Sequence, residues 1–188
     1  MLLASEAALK LPGAAEHPGY PLALAVSAVF ASMRSDGVGA AELCSRAAEA
    51  CARLDARDWR VEQTICAARQ NIAIATGAFA DAARLAEQAA GIARTGGDLA
   101  DTSVQLAMAV ACYALAGDLS RGIPLANEAL ALARQLGAPA LIATALLQVG
   151  ASVVQTDPEQ ARACLRESRE ISAALGYQSA LTWSGRPE

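Results

Sequence analysis

Aromatic side chains are scarce in this sequence. They make up 4% of its 188 residues, although hydrophobic residues make up 54%. A sheet surface usually packs with aromatic and β-branched residues, so the composition argues against a β-sandwich. It favours a core of alanine, leucine, valine and isoleucine. Alanine is the strongest helix former, and its small side chain lets helix backbones approach closely. Lysine is nearly missing too. Lys10 is the only one, and the arginines are scattered along a chain of net charge −4. No run of basic residues could neutralise a row of phosphates, so no direct contact with nucleic acid is expected.

His17 is the only histidine, in the loop Glu16-His17-Pro18, where it reads as a connector residue. The five cysteines, Cys44, Cys51, Cys66, Cys112 and Cys164, form no C-x-x-C pair. A zinc site draws on about four clustered ligands, so neither a metal nor a cofactor is expected. The odd count and the lack of framework spacing point to free thiols in a reducing, cytoplasmic compartment. Glu6 interrupts the opening apolar run, and no basic segment precedes it, so a signal peptide is not expected. The nearly uncharged stretch from Leu136 to Thr156 has the length of a membrane span. Gly137, Pro139, Gln148, Gly150 and Gln155 dilute it, and it keeps step with the repeat described below. It therefore reads as a buried helix.

Catalytic groupings are lacking as well. Glu42, Glu49, Glu87 and Glu128 are the carboxylates to consider, and Glu42/Arg46 and Glu49/Arg53 are solvated helix pairs at i,i+4. Gly96-Gly97-Asp98 follows a helix rather than a strand, which does not suit a phosphate cradle. The P-loop pattern G-x-x-x-x-G-K-[ST] does not occur. The expectation is a protein that is not an enzyme and has no catalytic residues.

What the sequence does contain is a repeat. Gly77-Ala-Phe-Ala-Asp-Ala-Ala-Arg-Leu-Ala-Glu-Gln-Ala aligns with Gly117-Asp-Leu-Ser-Arg-Gly-Ile-Pro-Leu-Ala-Asn-Glu-Ala. Related segments start at Asp36 and Thr156. The steps are 41, 40 and 39 residues (77−36, 117−77, 156−117). A near-constant step of about forty residues marks an array of helical units. Five positions after each start the residue is small: Ala41, Ala82, Gly122, Ala161. Eight after it comes Cys44, Leu85, Leu125 or Cys164. Twelve after it comes Ala48, Ala89, Ala129 or Ser168. Offsets of three, four and seven return to one helix face, so these columns mark a buried stripe crossed closely by a neighbour. Cys44 and Cys164 accordingly read as small core hydrophobes.

Glycine turns and Asp, Ser or Thr caps divide the chain. Helices are predicted near 2–10, 22–34, 38–54, 59–75, 79–94, 99–115, 119–136, 139–155 and 158–174, with a Pro- and Gly-rich loop from Pro12 to Pro21. Grouped in pairs they form approximate repeats 22–54, 59–94, 99–136 and 139–175 of a single domain over 1–188. Pro124 falls inside a helix and predicts a late start or a local irregularity.

The pattern Gly-x-apolar-x-x-small, followed by Ala seven residues later, resembles the second helix of tetratricopeptide repeats. Gly77–Ala89 and Gly117–Ala129 carry it, and Tyr113 sits where that family often has an aromatic late in its first helix. The step of about forty, rather than about 34, is similar to the tetratricopeptide regions of large bacterial signalling proteins. These are ATPase transcriptional regulators of the LuxR and maltose-regulator type, and multidomain adenylate/guanylate cyclases. Ala8–Pro21 and Leu-Ala-Arg-Gln-Leu-Gly at 132–137 share in the likeness.

The resemblance implies an all-α, right-handed α-solenoid, present here as a fragment of a larger protein. It implies a regulatory protein–protein interaction module in signal transduction or transcription regulation, whose partner is a protein, a peptide or an adjoining domain of the same chain. No membrane partner is expected. It also implies a concave groove lined by the first helix of each pair, at Phe30, Met33, Asn71, Ile74, Leu115, Leu146 and Val153. An effector-sensing solenoid holding a small molecule in that groove is the alternative. Neither end reads as a polar cap, and Tyr177, Ala180, Leu181 and Trp183 lie on an uncompleted pair. End-to-end self-association is therefore expected.

Overall fold

The computed structural model describes residues 7, 9–53 and 58–176. Among them there is no strand. A short 3-10 turn at Ala14–Glu16 precedes eight α-helices. These are α1 (Tyr20–Met33), α2 (Gly37–Arg53), α3 (Trp59–Ala75), α4 (Phe79–Thr95), α5 (Leu99–Ala116), α6 (Leu119–Leu136), α7 (Pro139–Val153) and α8 (Pro158–Ala174). The predicted spans 59–75, 119–136 and 158–174 match the observed helices end for end. The helix predicted over 2–10 falls almost entirely outside the described residues, as does the tail with Trp183.

One device closes five of the turns. A residue in the left-handed region stands at Ser35 (φ 64°), Gly77, Gly97, Gly117 and Gly137. In each case the next N–H reaches back to the carbonyl five residues earlier: Asp36 to Ala31, Ala78 to Ala73, Asp98 to Ala93, Asp118 to Tyr113 and Ala138 to Ala133. This is the Schellman closure, which satisfies carbonyls that the helix end leaves open. Aspartates then start several helices. Asp36 Oδ1 accepts from the Gly39 N–H at 2.9 Å, and Asp157 Oδ1 accepts from the Gln160 N–H at 2.9 Å. Asp58 does the same for Arg60 at 3.0 Å.

This turn chemistry corrects the alignment of the first repeat. α2, α4, α6 and α8 begin two residues after Ser35, Gly77, Gly117 and Thr156, so the first unit starts at Ser35 and not at Asp36. The reason is local. Asp36 serves as the cap, as Asp118 and Asp157 do one residue after their own starts, and serine takes the left-handed position that glycine fills elsewhere. With that shift the columns become consistent. Ala40, Ala82, Gly122 and Ala161 are all buried, and so are Ala47, Ala89, Ala129 and Ser168. Leu43, Leu85, Leu125 and Cys164 are half-buried. Cys44 is indeed buried in the core. Its counterparts, however, are Ala86, Ala126 and Leu165, not Leu85, Leu125 and Cys164.

Pro124 is a second correction. α6 runs unbroken from Leu119 through it. The proline lies within the first two turns, and the carbonyl it deprives of a donor is that of Ser120. Both residues are exposed, so water can serve that carbonyl.

The chain divides into two compact units, Met1–Asp98 and Leu99–Glu188. In the first, α1 packs on α2 and α3, and α3 on α4. Leu24, Ala25 and Ala28 of α1 meet Cys44, Ala47 and Ala50 of α2 and Val61, Ile65 and Ala68 of α3. The Trp59 indole lies over Gly96, so close that a Cβ there would overlap the ring. In the second unit, α6 packs on α5 and α7, α7 on α8, and α5 alongside α7. Val110, Ala126 and Val149 form its core, with Leu125, Leu130 and Cys164 against them. Ser103 Oγ donates to the Ala129 carbonyl at 3.0 Å, and Ser168 Oγ donates to the Ala143 carbonyl at 2.7 Å. Each bond ties the two helices of one pair. At Gly150 an added Cβ would lie 3.0 Å from Leu165 Cγ and 3.2 Å from the Ala161 carbonyl oxygen, which marks the close crossing of α7 and α8.

By length and composition α5 could cross a bilayer, yet half of it is buried within the protein. Thr102, Ser103 and Gln105 are among its buried residues, as suits a core helix that has hydrogen-bond partners for its polar groups.

Candidate partner-binding face

The four pairs divide their chemistry unevenly. α1 and α7 contain no Asp, Glu, Lys or Arg, and α5 contains only Asp101. α2, α4, α6 and α8 each bury a narrow stripe of small residues and turn a charged face outward. A helix apolar on all sides is either buried all round or keeps an apolar side free for another occupant.

α5 keeps such a side. Val104, Met108, Ala111 and Leu115 recur at i, i+4, i+7 and i+11, and all are at least partly accessible, with Leu115 61% exposed. On α7, packed beside it, Leu147 (48%) and Ala151, with Val154 (49%) just past its end, repeat the pattern. Asp101, at the start of the α5 stripe, accepts from Gln105 Nε2 at 3.4 Å. The unit Leu99–Glu188 thus presents two adjacent helices with accessible aliphatic residues and almost no charge.

The residues predicted to line a groove fall into both units. Phe30 and Met33 lie on α1, and Asn71 and Ile74 on α3, two helices that pack together. Met33 is 69% exposed, and Phe30, Asn71 and Ile74 are half-buried. The Asn71 amide is engaged by this pairing, since its Nδ2 donates to Ser32 Oγ at 3.2 Å. Leu115 is on the accessible face of α5. Leu146 (1%) and Val153 (8%) are buried and offer no surface to a partner. The accessible positions are the next residues along, Leu147 and Val154. On a helix one step turns a side chain by about a quarter of a revolution, enough to move it from face to core. Val104, Met108, Leu147 and Val154 are accessible and were not among the predicted residues. Their signal was in the sequence, as an apolar stripe additional to the one the core requires.

No group of three His, Cys, Asp or Glu side chains among the described residues could hold a metal ion. Every fully buried side-chain N or O atom among them has a hydrogen-bond partner. Burial pushes the thiols of Cys44, Cys51, Cys66 and Cys164 above their ordinary pKa, which keeps them protonated and poor as nucleophiles. The hydrogen bond from Arg60 holds the Asp58 carboxyl below the usual carboxylate range, in keeping with its cap role.

No protein-family model matches this chain, and no curated protein matches it either.

Proposed function

We propose that this chain is a tetratricopeptide-like α-solenoid segment that works as a protein-interaction module, with the accessible side of α5 and α7 receiving the apolar side of a protein segment. The observation that carries this reading is the double stripe of Val104, Met108 and Leu115 beside Leu147 and Val154, almost free of charge, in a unit whose other helices, α6 and α8, turn charged faces outward. Aliphatic side chains at helical spacing suit an amphipathic helix that lays apolar anchors into a groove. In this reading the module belongs to a cytoplasmic signalling or transcriptional regulator, as the likeness of Gly77–Ala89 and Gly117–Ala129 to tetratricopeptide repeats implies.

Selection of a displayed random-peptide library on the purified protein tests it. Peptides with apolar residues at i, i+3/i+4 and i+7 should be enriched. Met108→Asp and Leu147→Asp should each weaken their binding at least tenfold, while Arg162→Glu on the charged face of α8 should leave it unchanged. Enriched peptides that bind both Asp variants as tightly as the parent would sink the proposal.

A further inference from the structure

The loop before α1 is not a loose connector. Arg53 of α2 donates from Nη2 to the Ala15 carbonyl at 3.0 Å, and Arg46 of the same helix donates to the Tyr20 hydroxyl at 3.4 Å. Leu9 and Tyr20 pack against the core of the first unit. Held in this way, the segment lies over the start of α1 and borders an open pocket of about 410 Å³, within the size range of small-molecule sites. Leu9, Leu11, Pro12, Ala14 and Ala23 supply apolar wall. Leu11 is among the most exposed large hydrophobic side chains of the described residues.

Into this wall is set the only imidazole of the chain, His17. Its tautomer follows from its neighbour. The Gly19 N–H donates to His17 Nδ1 at 3.0 Å, which selects the tautomer with the proton on Nε2. Nε2–H is then available as a hydrogen-bond donor. The Tyr20 hydroxyl, also on the lining, accepts from Arg46 and keeps its O–H as a second donor, and neither arginine lines the pocket. Five apolar side chains, with donors at His17 Nε2–H and the Tyr20 O–H, describe a site for a molecule that is mostly hydrocarbon and carries one acceptor oxygen.

We propose that this cavity is a binding site for a small uncharged apolar molecule bearing a single carbonyl-type acceptor, which hydrogen-bonds to His17 Nε2–H. The site belongs to the first compact unit and the α5/α7 face to the second, and the proposal stands or falls independently of the function proposed above.

The test is a titration of the full chain, isotopically labelled, with two probes of nearly equal shape, acetophenone and ethylbenzene. Only the first has the acceptor. Both should cause saturable NMR shifts of the Ala14 and Ala23 methyls, with acetophenone bound about fivefold more tightly, the worth of one ordinary hydrogen bond. His17→Asn separates donor from scaffold. Asparagine can still accept from the N–H two residues on, so the Gly19 amide signal should report an intact turn, but the Nε2–H is gone. The two probes should then bind equally. Ala23→Leu, which fills the cavity, should abolish both titrations without lowering the melting temperature. Lack of saturable shifts at the two alanines, or an acetophenone preference that survives His17→Asn with the turn intact, would overturn the proposal.

Discussion

α6 and α7 are neighbours in one unit and pack on each other, yet they are built by opposite rules. α6 is one-sided. Gly122, Ala126, Ala129 and Ala133 form its buried stripe, and Arg121, Glu128 and Arg134 face water. α7 carries no charge, and its buried positions include Leu146, Val149 and Val153. The same contrast separates α2 from α1 and α8 from α7. The pairs α1/α2 and α7/α8 are thus asymmetric by composition, whereas α3, with Arg60, Glu62 and Arg69, departs from that rule. The second helix is a close-packed strut whose small residues set the spacing, and the first helix has apolar surface in excess of what the core uses.

The sharpest way to break that comparison lies in two adjacent residues of α7. Leu146→Ala removes a fully buried side chain and should cost about 2–5 kcal/mol. Leu147→Ala, on the accessible face, should cost less than about 1 kcal/mol. Urea unfolding of both variants decides the matter, since equal losses would mean that α7 has no free side. Next in size is Ala129→Leu on the strut helix. Ala129 is buried and its carbonyl accepts from Ser103 Oγ, so the larger side chain should force α5 and α6 apart and destabilise by about 1–3 kcal/mol. An unchanged melting temperature would show that the small column does not set the spacing. Smaller still is Ser35→Gly. Serine there pays for a left-handed conformation that the other Schellman turns give to glycine. The substitution should raise stability by about 1 kcal/mol, read as an increased urea midpoint. A decrease would contradict the equivalence of the five turns.

These positions also mark how far the sequence could be read. The helices were legible because glycine and aspartate punctuate them, and α3, α6 and α8 were placed to the residue. The first repeat was misaligned by one because Asp36-Gly37 imitates a glycine start, whereas the backbone reverses at Ser35, a residue type that seldom advertises a left-handed turn. The same sensitivity put the buried Leu146 and Val153 on the predicted face, one residue from the accessible Leu147 and Val154. Small columns are robust to such errors, since alanines abound on either side. Surface stripes are not, because one residue separates core from solvent. The cavity beside His17 was not legible at all. It depends on Arg46 and Arg53 reaching back from α2 to the loop, contacts between residues far apart in sequence that no local pattern announces.

The most direct measurement of the central claim is a methyl-NMR footprint of a library-selected peptide on the intact protein. The account predicts that binding shifts the methyls of Val104, Met108, Leu115, Leu147 and Val154 as one contiguous set and leaves those of Ala131 and Ala163, on the exposed sides of α6 and α8, where they were. A footprint centred on α6 and α8, with the α5 and α7 methyls unmoved, would contradict it.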